Sequence, residues 1–204
     1  MTRVFLALGD SYTIGEGVAE DGRWPVQLAR ALRSDGIGIT PPRIIATTGW
    51  TTDELSSAID AAEPLGEYDL VSLLIGVNNQ YRGRGVDEYR EQFAALLQRA
   101  IGHAHDDAKR VIVLSIPDWG VTPFAMQQGR DTAQIAAEID AFNAAARETC
   151  KAAGVAFIDI TPVSREDGGE AEMLANDGLH PSAAMYARWA ALALPVVKPL
   201  LAGD

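Results

Sequence analysis

The sequence predicts an α/β fold in which a parallel sheet carries helices on both faces. Two observations carry this. Five apolar runs, residues 4–8, 43–48, 68–75, 111–116 and 155–160, are each too short for a stable helix, and none shows the alternating polar face of a half-exposed strand. Between them lie longer segments with apolar residues at helical spacing, so strand and helix alternate along the whole chain.

The first run stops at Gly9, and Gly9-Asp10-Ser11-Tyr12-Thr13-Ile14-Gly15-Glu16-Gly17 follows as a polar turn. Its glycines let the backbone bend tightly or aim N–H groups inward, so the turn suits either a nucleophile or a phosphate cradle. Residues 23–33 place Trp24, Leu28 and Leu32 at helical spacing, and Gly36, Gly38, Pro41 and Pro42 end that element. The β-branched run at 43–48 stops at Gly49, after which Thr51 or Thr52 caps a helix to about residue 62. The most apolar run, 68–75, ends in Gly76-Val77-Asn78-Asn79-Gln80, read as a loop before a helix over 86–101. Residues 111–116 stop at Pro117-Asp118-Trp119-Gly120, residues 131–152 are helical, and 155–160 stop at Thr161-Pro162. A last helix is expected from about Ser182 to Leu194.

With 204 residues and 48% apolar content, the chain can bury a full core as one domain, residues 1–204. A single cysteine, Cys150, excludes an internal disulfide framework and is assigned no role. The first residues lack the long apolar core of a secretory signal and no stretch is long enough to span a membrane, so the expectation is a cytoplasmic protein without membrane insertion. A net charge of −11 argues against nucleic acid and anionic lipid surfaces as partners and favours neutral or cationic small molecules. His103-Ala104-His105-Asp106-Asp107 has metal-ligand residue types but is read as a solvated turn, so no metal and no cofactor is expected.

A serine in a Gly-rich turn usually only satisfies local backbone groups, and a functional reading needs a base. Asn176-Asp177-Gly178-Leu179-His180-Pro181-Ser182 supplies a carboxylate three residues before a histidine. Ser11, His180 and Asp177 make a hydrolytic triad in which His180 takes the serine proton and Asp177 orients the ring. Ligands of open α/β sheets bind beyond the carboxyl ends of the strands, and Ser11, Gly49, Asn78 and Asp118 each follow one. Donors for a developing oxyanion are the N–H of Ser11, the N–H of Gly49 and the amide of Asn78. Asn78 alone also reads as a turn-former. Asp10, Trp119, Phe124 and Met126 form the candidate substrate-binding set, the last three being either ordinary core or the wall of a cleft. Glu16 and Asp118 read as solvent-exposed or cleft-lining.

These blocks, Gly-Asp-Ser near the start, a glycine after the second strand, Gly-x-Asn after the third and Asp-x-x-His near the end, resemble those of the SGNH hydrolases, also called GDSL esterases and lipases. The resemblance implies a flavodoxin-like three-layer α/β/α sandwich with a five-stranded parallel sheet. It also implies Ser11 as nucleophile, Gly49 and Asn78 in the oxyanion hole, and Asp177 and His180 as the other triad members. Tyr12 replaces the family's leucine, and Asn79 stands where aspartate is common. Lysophospholipids, thioesters, acetylated sugars and short esters all occur as family substrates. Short acyl esters are expected here, because five strands and their helices leave no residues for a large lid and the only apolar loop material is 119–126. The rival of another class is a flavodoxin-like module binding a phosphate or flavin on the Ser11 to Gly17 turn.

Overall fold

The computed structural model describes residues 2–202. Its core is a five-stranded parallel sheet: β1 (Phe5–Gly9), β2 (Arg43–Ala46), β3 (Leu70–Leu74), β4 (Val111–Leu114) and β5 (Ala156–Ile158), in the order β2-β1-β3-β4-β5. Every residue of β1, β3 and β4 is buried, whereas the edge strands β2 and β5 are partly exposed. That gradient is the reason the central runs are the most aliphatic in the sequence.

Nine helices surround the sheet among the described residues: α1 (Ser11–Ile14), α2 (Trp24–Ser34), α3 (Thr52–Ala62), α4 (Val77–Tyr81), α5 (Val86–His103), α6 (Pro123–Gln127), α7 (Thr132–Ala153), α8 (Thr161–Asp167) and α9 (Ala183–Leu201). Right-handed crossovers set their sides. The chain steps one way from β1 to β2 and the other way afterwards, so α2 covers one face, packed on α9, while α3, α5 and α7 pack in succession on the other. This is the flavodoxin-like three-layer sandwich, and its switch point lies between β1 and β3.

Four short helices, α1, α4, α6 and α8, occupy stretches whose sequence reads as loop. Each spans one or two turns directly after a strand or a 3₁₀ turn, too briefly for helical periodicity to register. The last helix also runs past its expected end, through Pro195 and Pro199 to Leu201. Both prolines sit on its exposed face, as does Ala191 one turn before, so water satisfies the carbonyls they leave unbonded. Ala193, Val197 and Leu201, one turn apart, hold the opposite face in the core.

Candidate active site

The carboxyl ends of β1 and β3 meet closely because Gly9 ends β1. A Cβ there would lie 2.5 Å from the Leu74 carbonyl and 2.3 Å from Thr13 Oγ1, so no other residue fits. The chain then turns straight into α1, with Asp10 as its N-cap and Ser11 as its first residue. Asp10 Oδ1 accepts the N–H of Tyr12 at 3.0 Å.

Ser11 and His180 line one cleft of about 200 Å³ with Tyr12, Thr48, Gly49, Val77, Asn78, Tyr81, Trp119, Phe124 and Leu179. His180 is held from both sides. Its Nδ1 lies 2.6 Å from Asp177 Oδ2, while Asp177 Oδ1 accepts the backbone N–H groups of Leu179 and His180, each at 2.9 Å. Burial opposes charge on Asp177, but the His180 side chain and these two backbone groups outweigh it and hold the carboxyl below its ordinary range. The hairpin-like loop itself is pinned by Ala175 N–H on the His180 carbonyl at 2.7 Å.

The oxyanion candidates sit in the same cleft. Gly49 has φ +90°, a left-handed conformation that leaves its backbone bare at the lining. Asn78 donates one Nδ2 hydrogen to the Trp50 carbonyl at 2.9 Å, which fixes the amide and keeps its second hydrogen for the cleft. Asn79 faces the interior and is fully buried. Its Oδ1 accepts the N–H of Thr52 at 3.1 Å and its Nδ2 donates to Thr52 Oγ1 at 2.7 Å, tying α4 to the start of α3.

Trp119, Tyr81 and Phe124 form an aromatic wall. The Tyr81 and Trp119 rings stand 5.4 Å apart and those of Trp119 and Phe124 6.3 Å apart, both pairs edge to face. Trp119 is fixed by its Nε1–H on Gln80 Oε1 at 2.8 Å, and Gln80 in turn donates to Glu138 at 2.6 Å. Phe124 is joined to the His180 loop by its N–H on the Gly178 carbonyl at 3.1 Å.

Three expectations are corrected by the structure. Asp10 is fully buried and absent from the cleft lining, because an N-cap side chain must fold back onto its own helix. Met126 is 62% exposed and borders a separate surface groove, since two positions along α6 put it about 200° around the helix from Phe124. Asp118 is neither solvated nor cleft-lining: it accepts Gly120 N–H at 2.8 Å and Arg165 Nε–H at 2.9 Å in the interior. Glu16 stays at the surface and accepts from the hydroxyl of Thr48, a lining residue. The sequence reading missed Tyr81 and Thr48. The signal for Tyr81 was its position three residues after Asn78, which shares a face once α4 is recognised as helical.

His103 and His105 each pair with a carboxylate, Glu63 and Glu67, and no group of metal-ligating residues exists among the described residues. Nor is any helix among them long and apolar enough to cross a membrane.

Comparison with known proteins adds the family. The model of the GDSL-like lipase/acylhydrolase family matches residues 7–188. No curated protein matches. Among solved structures, the lipase/acylhydrolase from Enterococcus faecalis superposes with a TM-score of 0.77 at 20% identity, covering 98% of this chain and 97% of that one. TesA gives 0.75 at 22%, covering 98% and 100%, and a mutant acetyl-xylooligosaccharide esterase from Geobacillus gives 0.71 at 17%, covering 99% and 95%. At these identities the structures speak for the fold, and the family match speaks for the class. The chain belongs to the GDSL-like lipase/acylhydrolase family and is a serine ester hydrolase of that type.

Proposed function

We propose that this protein hydrolyses short-chain acyl esters of small molecules through an acyl-enzyme intermediate, without a cofactor. Ser11 attacks the carbonyl carbon, and His180 takes its proton and returns it to the leaving alcohol. Asp177 keeps Nδ1 protonated and stabilises the imidazolium. The N–H groups of Ser11 and Gly49 and the free amide hydrogen of Asn78 receive the developing oxyanion. Water, activated by the same histidine, releases the acid.

The observation that carries this reading is the sharing of one cleft by Ser11 and a histidine whose Nδ1 is 2.6 Å from a carboxylate. The cleft's size supports the short acyl group: about 200 Å³ is below the roughly 300–1,000 Å³ of sites for drug-sized ligands. Its lining beside Ser11 is mainly aromatic and apolar, which suits an acyl group better than a phosphate and disfavours the binding-module reading.

The test is a series of esters from acetyl to palmitoyl, assayed below micelle-forming concentrations, with acetylated sugars and thioesters alongside. Acetyl and butyryl esters are expected to give the highest kcat/KM. A preference for palmitoyl esters, or turnover unaffected by Ser11→Ala, would overturn the reading.

A further inference from the structure

The chain's charge of −11 argues for neutral or cationic substrates, but a cation, Arg130, stands against the cleft's aromatic wall. The Arg130 guanidinium carbon lies 5.4 Å from the ring centroid of Tyr81 and 5.4 Å from that of Trp119, two of the three rings of the aromatic wall. Two ring faces hold it by cation–π attraction. Its backbone is fixed as well, with Arg130 N–H on the Ala125 carbonyl at 3.2 Å after a left-handed Gly129 (φ 62°).

What Arg130 lacks is an anion. No carboxylate pairs with it among the described residues, whereas Arg82, the other arginine beside the cleft, is committed to the Gly49 carbonyl and to Glu54. The neighbouring carboxylate, Asp131, spends its Oδ1 on the N–H groups of Ala133 and Gln134 as the cap of α7. Neither ring takes up the charge as an ion pair would, and the N–H donors of a guanidinium match a carboxylate or phosphate in two-point geometry. An exposed arginine held in this way is positioned to receive an anion entering the cleft.

We propose that Arg130 is a specificity-determining residue that anchors an anionic group, carboxylate or phosphate, on the ester substrate. The natural substrate is then a short ester that carries its own negative charge, on either the acyl or the alcohol side. This rests on the reading of the cleft as an esterase site, and the test separates the two.

Matched pairs decide it. Phenyl butyrate against phenyl hemisuccinate places the carboxylate on the acyl side, and phenyl acetate against 4-acetoxybenzoate places it on the alcohol side. Each pair is run on the native enzyme and on Arg130→Gln. The native enzyme is expected to favour the charged member of at least one pair by about tenfold relative to Arg130→Gln, which corresponds to about 1.4 kcal/mol. The neutral esters should change by no more than a few-fold, and added salt should erode the preference. Equal charged-to-neutral ratios in the two proteins, for both pairs, would overturn the proposal. If no ester is turned over, the esterase reading fails, and calorimetric binding of the amide analogues decides instead. Succinanilic acid should then bind the native protein at least tenfold more tightly than it binds Arg130→Gln, with butyranilide unchanged, and equal affinity would overturn the proposal. Thermal unfolding of Arg130→Gln, expected to match the native protein, shows that its fold is intact.

Discussion

Asp10 stands next to Ser11 in a place where a carboxylate is least comfortable. Burial pushes its pKa up to about 7 from the ordinary 3.8, against hydrogen bonds from the backbone of Tyr12 and Asp10 that lower it, and its Oδ2 has no partner among the described residues. The folded state therefore keeps a proton that the unfolded chain releases between about pH 4 and pH 7. Stability falls as pH rises through that window and levels off above it, by about 4 kcal/mol in all for this group. Asp10→Asn keeps the cap oxygen and removes the titration, so denaturant unfolding should show the variant gaining on the native protein from pH 5 to pH 8. A constant difference across that range would contradict the argument. Asp177 has the opposite sign: its lowered pKa favours the fold above about pH 4, and that contribution is lost on acidification below it. Asn78→Ala is expected to lower kcat by ~10²-fold with little change in KM, since its free hydrogen is needed only once the oxyanion forms. At this scale the sequence was most legible where chemistry demands a residue type. Ser11, Gly49, Asn78 and His180, expected from residue type and position, line one cleft and Asp177 is bonded to His180, whereas Asp10 lies outside the cleft because its side chain is a backbone cap, which sequence alone does not separate from a substrate contact.

At the scale of elements, α4 links the site to the fold. Its Asn78 faces the cleft and its Asn79 is bonded twice to Thr52, so the neighbour holds the register of the proposed oxyanion donor. Asn79→Ala leaves the Thr52 N–H unpaired in the interior and should cost about 1–3 kcal/mol in chemical denaturation, with a fall in kcat as Asn78 loses its support. Unchanged stability would show the pair to be dispensable. On α6, Phe124→Ala should shift kcat/KM among acyl lengths, while Met126→Ala, on the outward side, should leave the ratios as they are. An equal shift from both would place them on one wall. These helices were not legible: α4 and α6 are five residues each, too short for a periodic pattern, α4 being held by Gln80 on Trp119 and Glu138 and α6 by the Thr122 cap with Pro123 at its first position. Long elements were legible for the opposite reason, because their apolar spacing repeats over several turns. The overrun of α9 through two prolines shows tertiary packing prevailing over a local breaker.

For the whole molecule, the sheet order is what turns scattered residues into a site. Ser11 follows β1, Gly49 follows β2, Asn78 follows β3 and Trp119 follows β4, and the parallel arrangement delivers all four to one edge, where the loop of His180 joins them. That convergence could be anticipated from alternation of strand and helix. Trp119 and Phe124 could be named as a possible wall but not separated from core, while Tyr81 on the short α4 and Arg130 after α6 depend on local geometry that has no sequence period. The central claim is that this convergence serves one nucleophile, Ser11. It is tested most directly by treating the protein with a fluorophosphonate probe and mapping the modified residue by mass spectrometry, with Ser11→Ala as the comparison. Labelling of Ser11 alone is expected, together with loss of labelling and a fall in kcat of ~10³-fold or more in Ser11→Ala. Equal labelling of the variant, or modification of any other serine in its place, would contradict the assignment.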